Sequence, residues 1–395
     1  MKTHAAVEWI PSPDAKPESY ARRPLGELSA EGAARKHAEF TESAFGKCAP
    51  GDWDLRSAGD ARVTEIGRSR EGRALYGIVV GTGPLRASIV AGAHADEPVG
   101  PRTALHFAAQ VAAGRGWPGD LAAHFTFYIV PHMNPDGDAR NAEWQRHPGD
   151  FESYARNVVR EQPGEDVEFG WPRDKKEKDA RSENRAAAEF LRGAGGPFAL
   201  HASLHSMGVA EGAQFLICRE WGDRAREAGV FERLANAAGR AGLLLHDQDR
   251  GGEKGFFKLA PGFATTPVST AMRDFFLKEG DKKMAALFRP SSMEFAQSLG
   301  GDPLCLVSEI PYFTIRQKDE PGAAYTSFRN DFAAARLTLA KGDDAALDAL
   351  QFRYQVRPIA WTAQRDLQME FLREGLRLAA ARAEAKPKTS RGSRG

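Results

Sequence analysis

Four short apolar runs in this chain each stop at a cluster of polar, chemically capable side chains, and this repeated arrangement constrains the fold more than any other feature. ASIVAGA (Ala87 to Ala93) runs into His94-Ala95-Asp96-Glu97, FTFYIV (Phe125 to Val130) into PHMNPDG, FALHASLH stops at His205-Ser206, and PLCLVSEI stops at Glu309. The first run is β-branched and bounded by glycine. Pro98 then stands where a helix would begin, and Leu105, Ala108, Ala109 and Ala112 follow at helical spacing, so Ala87 to Ala112 reads as strand, loop and helix. Repetition of that unit makes the chain α/β. In open α/β sheets, ligands gather at the carboxyl ends of the strands, so polar clusters far apart in sequence can meet in one crevice.

The rest of the chain is punctuated in the same way. VTEIGRSREGRALYGIVVG, from Val63, gives two β-rich runs around a turn at Arg70 to Gly72, a hairpin-like entry to the sheet. Residues 138–182 form a long charged insertion without a clear period, after which Ser182 is expected to cap a helix carrying Ala187, Phe190 and Leu191 on one face. GAQFLIC adds a strand. Beyond Pro311 the sequence turns helical, with Leu367, Phe371, Leu372, Leu376 and Ala379 on one stripe. The expected organisation is an arm and leader helix over 1–60, a catalytic domain over 61–315, a helical extension over 316–385 and a disordered basic tail over 386–395.

Composition removes several classes. With 54 Lys and Arg against 53 Asp and Glu, no net field draws the chain to nucleic acid or an acidic membrane surface. Met1 to Tyr20 lacks an apolar core for a signal peptide and no run reaches membrane-spanning length, so a cytoplasmic protein without a membrane partner is expected. Cys48, Cys218 and Cys305 are odd in number and far apart, and read as inert thiols rather than a disulfide or metal set.

His94 and Glu97 stand three apart at a strand-to-helix junction, where an imidazole nitrogen and a carboxylate oxygen can turn toward one ion. With His205 they supply two imidazoles and one carboxylate, a set that leaves zinc a fourth position for water. A His three residues from a Glu is common by chance, so the weight rests on the joint pattern.

The ordered segments IGRSREGRALYGIVVG, AGAHADEPVG, PHMNPDG, SLHS and SEIPYF resemble the zinc carboxypeptidase family over roughly Val63 to Phe313. The resemblance implies a three-layer α/β/α fold with a central mixed, mostly parallel sheet of about eight strands. It implies one zinc per chain on His94, Glu97 and His205, with Glu309 as the catalytic glutamate that takes a proton from water and passes it to the leaving amine. It places the cation for the oxyanion at Arg140 or Arg146, after the Asn-Pro-Asp-Gly turn, and a substrate carboxylate at Arg156, with Asn157 and Asn134 as further substrate contacts. Glu294 falls near the family's specificity pocket.

Three departures bear on substrate. No tyrosine lies between His205 and Glu309, Ala155 stands where asparagine is expected before Arg156, and Asp96 stands where a cation is frequent. The implied activity is hydrolysis of a peptide or peptide-like amide near a free carboxylate. The alternatives are an amidase of N-acyl amino acids, as in the related aspartoacylase and succinylglutamate desuccinylase enzymes, and a catalytically silent binding module. His132 and His201 are read as structural. Oligomeric state is not legible.

Overall fold

A computed structural model describes residues 61–162, 165–316 and 320–385. The expected leader helix, Cys48 and the basic tail lie outside the described residues. Strands β1 (Arg62–Arg68) and β2 (Ala74–Val80) form the expected hairpin, antiparallel about a turn in which Gly72 takes a φ of 86°, a left-handed value that glycine adopts without strain. β3 (Leu85–Ala91) leads into helix α1 (Val99–Ala112), and β4 (Phe125–Val130) into the short α2 (Pro135–Arg140). The charged insertion supplies α3 (Phe151–Asn157) and an irregular stretch before α4 (Ser182–Arg192). Ser182 does not cap α4 as expected: it is the first helical residue, and its hydroxyl turns to Glu183 at 3.1 Å.

β5 (Leu200–Ala210), β6 (Gln214–Ile217), α5 (Val230–Arg240), β7 (Lys258–Ala260), β8 (Phe263–Thr265), α6 (Ser269–Lys278), α7 (Ser292–Ser298) and β9 (Leu304–Thr314) follow. The chain then turns helical as expected, through α8 (Ala323–Leu339) and α9 (Ala345–Tyr354), then the two-residue β10 (Arg357–Pro358), and last α10 (Trp361–Ala385).

The strands make one ten-stranded sheet in the order β1-β2-β4-β3-β5-β9-β6-β8-β7, with β10 on β9. The central strands β4, β3, β5 and β9 are parallel, and antiparallel pairs flank them. The sheet is thus mixed with a parallel centre. It holds more strands than expected because β7, β8 and β10, at two or three residues, are too short to leave a period in the sequence. The runs ASIVA and PLCLV are apolar on both faces because helices cover both sides of the central strands. α1, α5 and α10 lie in one layer, where Leu367, Phe371, Leu372, Leu376 and Ala379 of the expected stripe enter the main core. α4 and α7 belong to the other layer, packed on β1, β2 and β5.

Two features of this frame set the site. The β5–β9 register places His205 directly beside Glu309, and neighbours across parallel strands lie about 4.8 Å apart with side chains on the same face. α1 approaches β5 through Gly100, where a Cβ would stand 2.4 Å from the carbonyl oxygen of Leu204. Gly100→Ala is therefore expected to lower stability by about 1–3 kcal/mol, as overpacking does. Gly239→Ala, in an exposed helical position with no atom within 4 Å of the added Cβ, should be neutral or stabilising by up to about 1 kcal/mol. Urea denaturation of the two variants checks the contrast.

Candidate metal centre

Metal-ligating atoms of His94, Glu97 and His205 lie within 4.8 Å of one another. His94 comes from the loop after β3, Glu97 from the entry to α1 and His205 from β5. His94 Nδ1 stands 2.7 Å from Glu97 Oε1, and His205 Nδ1 stands 2.9 Å from Glu97 Oε2 and 3.1 Å from His94 Nδ1. These separations fall a little inside the roughly 3.3 Å edge of a tetrahedron with zinc bonds of about 2.0 Å, so a small outward relaxation suits the ion. Glu97 and His205 are buried, and His94 keeps 16% of its side-chain surface, which leaves the group open on that side. Two imidazoles and a carboxylate with an open side fit a zinc that keeps one position for water.

Burial and charge oppose each other at Glu97 and His205. Burial works to raise the Glu97 pKa, but the charges of His94 and His205 outweigh it and hold it well below the usual carboxylate range. Burial works to lower that of His205, and Glu97 and Glu168 outweigh it and hold the imidazole well above its usual value. Glu309, beside His205, is pushed up to about 8 by burial and by the negative charge of Glu97, against the pull of His205 and Arg160.

The cation at this site is Arg160, which sequence reasoning did not single out. Its guanidinium lies 3.2 Å from Glu97 and 3.4 Å from Asp96, with 46% of the side chain exposed. Burial opposes its charge, but Asp96, Glu97 and Glu309 outweigh it and hold the proton more firmly than usual. Arg160 and Glu168 both come from the aperiodic insertion, where neither spacing nor a strand end marks them.

The other residues expected at the site are engaged differently. Arg140 pairs with Glu71 at 2.6 Å and Glu161 at 3.5 Å. Arg146 is exposed and pairs with Glu143, one helical turn away, while Arg156 bonds Glu152 at 2.9 Å and also Asp344. Among the described residues none of the three bonds to the trio or to Glu309. Asn157 donates to the Ser153 carbonyl at 2.9 Å. Asn134 caps α2 by accepting from the Gly137 amide at 3.0 Å, and donates to Glu161 at 2.5 Å.

Glu294, expected near a specificity pocket, is engaged in local structure. Its carboxylate closes a capping box at Ser291 and accepts from Ser269, so it ties α7 to α6. His201 is fully buried, 2.8 Å from Ser88 Oγ, and burial pushes its pKa down to about 4, which keeps it neutral. His132 is half-buried, and a Cβ on Gly92 would stand 2.6 Å from its ring. Tyr154 and Tyr312 approach from α3 and β9, close enough for Asp96 and Glu97 to act on their hydroxyls. Cys218, just after β6, and Cys305, on β9, are buried free thiols, and the Cys305 amide donates to Cys218 Sγ at 3.1 Å.

A family model described as zinc carboxypeptidase matches residues 56–285. No curated protein matches the chain. Among solved structures, the chain is similar to the carboxypeptidase A of Helicoverpa armigera at 14% identity, with 90% of this chain and 82% of that one covered and a TM-score of 0.45. It is similar to a metallo-carboxypeptidase from Burkholderia cenocepacia at 16% identity, covering 89% and 70%, TM-score 0.41. It is also similar to bovine thrombin-activatable fibrinolysis inhibitor, solved with tick carboxypeptidase inhibitor, at 15% identity, covering 82% and 90%, TM-score 0.41. The matched segment takes in more than half of the sequence, including His94, Glu97 and His205, and on that ground the chain belongs to the zinc carboxypeptidase family.

Proposed function

We propose that this protein is a zinc-dependent hydrolase of a peptide or peptide-like amide bond, with His94, Glu97 and His205 holding one ion. The observation that carries the reading is the convergence of these donors beside Glu309, the neighbour of His205 on the next parallel strand. A zinc ion held there would act as a Lewis acid toward water and the scissile carbonyl, and would offset the Glu97 charge that adds to burial in keeping Glu309 protonated.

The chain's own groups then divide the work. Glu309, once ionised, takes a proton from the attacking water and returns it to the leaving amine, two transfers that one carboxylate can perform in turn. Arg160 keeps a permanent positive charge at the open side of the site, where negative charge on the carbonyl oxygen needs a fixed cation. The same guanidinium is the one that lies against the donor set, 3.2 Å from Glu97 with 46% of its side chain exposed, so it is the group that a substrate carboxylate would meet there. A small N-acyl amino acid meets these requirements as well as a peptide C-terminus does.

The test is metal content and turnover of the full chain. About one zinc per chain is expected, lost in His205→Ala, and hydrolysis of either C-terminal peptide libraries or N-acyl amino acids names the substrate class. No zinc after reconstitution of folded protein overturns the reading and leaves a binding module. Zinc affinity should also rise with pH: the folded pKa of metal-free His205 lies above its ordinary value, so near neutral pH the ion must displace a proton. Proton release, measured by calorimetry in two buffers of different ionisation enthalpy, checks the sign.

A further inference from the structure

His205 meets a carboxylate at both nitrogens of its ring. Nδ1 faces Glu97 as described, while Nε2 stands 3.0 Å from Glu168 Oε2 and 2.8 Å from Ser203 Oγ. Glu168 is only 5% exposed, and its side chain makes no other hydrogen bond among the described residues. A buried carboxylate is costly unless well partnered, and here the partner is the back of an imidazole that faces the candidate ion.

Resting on the metal reading above, we infer that Glu168 is the positioning residue for the metal centre: it accepts the Nε2–H of His205, so that Nδ1 carries the lone pair and the ring cannot turn away. An imidazole has two tautomers and a nearly free ring torsion, and only one combination presents Nδ1 to an ion. A carboxylate behind the ring selects that combination and strengthens the donor. Ser203, two residues before His205 on the same face of β5, shares the ring nitrogen and narrows the ring's freedom further. Glu168 touches neither substrate nor reacting atoms in this role.

The experiment is zinc affinity of the full chain, stripped by chelator and titrated against a chromogenic chelator at fixed pH, for wild type, Glu168→Gln, Glu168→Ala and His205→Ala. Glu168→Ala should bind zinc roughly 10 to 100 times more weakly. Glu168→Gln, which keeps the shape and a neutral acceptor and so guards against misfolding, should fall between. In nitrogen-labelled, zinc-loaded protein the His205 Nε2–H resonance should persist in wild type and Glu168→Gln and be lost to exchange in Glu168→Ala, a change that a purely structural role would not produce. Affinities within twofold of wild type in both Glu168 variants, with His205→Ala still defective, overturn this inference alone. A folded wild type that binds no zinc overturns the metal reading and this inference with it.

Discussion

Glu309→Gln is expected to keep its zinc and lose turnover by about a hundredfold to ten-thousandfold, the usual contribution of a positioned acid–base group. The amide matches the carboxylate in shape, and Glu309 lies outside the group of metal-ligating atoms, so the ion should be held as in wild type. On the proposed mechanism, wild type should also lose activity on acidification as Glu309 takes up its proton. In the metal-free protein this carboxyl is pushed up to about 8, and a dication beside Glu97 should draw it lower, so the acid limb of kcat/KM belongs below that value. Metal analysis and single-turnover kinetics on the same preparation separate the two effects. Full turnover with bound zinc would remove Glu309 from the mechanism.

Arg160→Ala should lower kcat/KM by about a hundredfold to a thousandfold, as loss of one fixed group facing an oxyanion does. Arg160→Lys should recover only part, since an ammonium cannot face Asp96, Glu97 and a substrate oxygen with one planar fork. Arg146→Ala and Arg156→Ala should stay within about twofold, because both side chains lie in solvent-exposed ion pairs of small energetic weight. Zinc affinity measured alongside distinguishes a lost cation from a disturbed Glu97. Equal losses from all three arginines would return the substrate-facing role to the positions expected from the sequence.

The difference between what could and could not be read from the sequence follows the physics of each segment. The strands that carry His205 and Glu309, and the one that leads to His94, are legible because both faces are buried and give an apolar run; their ends are not, since β5 continues to Ala210 and β9 to Thr314, five residues past the polar residue at which each run was expected to stop. Their adjacency does not: nothing in the order of segments says that β9 inserts between β5 and β6, the step that sets Glu309 beside His205. The stripe from Leu367 to Ala379 is legible as a buried helix face, although its seat on the sheet is not. Arg160 and Glu168 were missed because they sit in irregular backbone, where no period marks burial. The arginines assigned by position in the motif pair with Glu143 and Glu152 one helical turn away, and with Glu71 and Asp344, which only the fold brings near.

The buried amide of Gln368, on α10, donates to the backbone carbonyl of His205 at 3.1 Å and to Ser308 at 3.3 Å. This ties α10 to the site across 163 residues of sequence. His94, Glu97 and His205 have all left the ribosome while β9 and α10 are still to come, so the nascent chain carries its ligands but no base. It also lacks the strand that joins the β5 half of the sheet to β6, and β5 and β6 meanwhile present unpaired backbone. Closing that gap requires pairing across roughly a hundred residues, a step that pays loop entropy before contacts repay it. A fragment that stops at residue 285, where the family match ends, would hold the ligand side chains on half a sheet without Glu309.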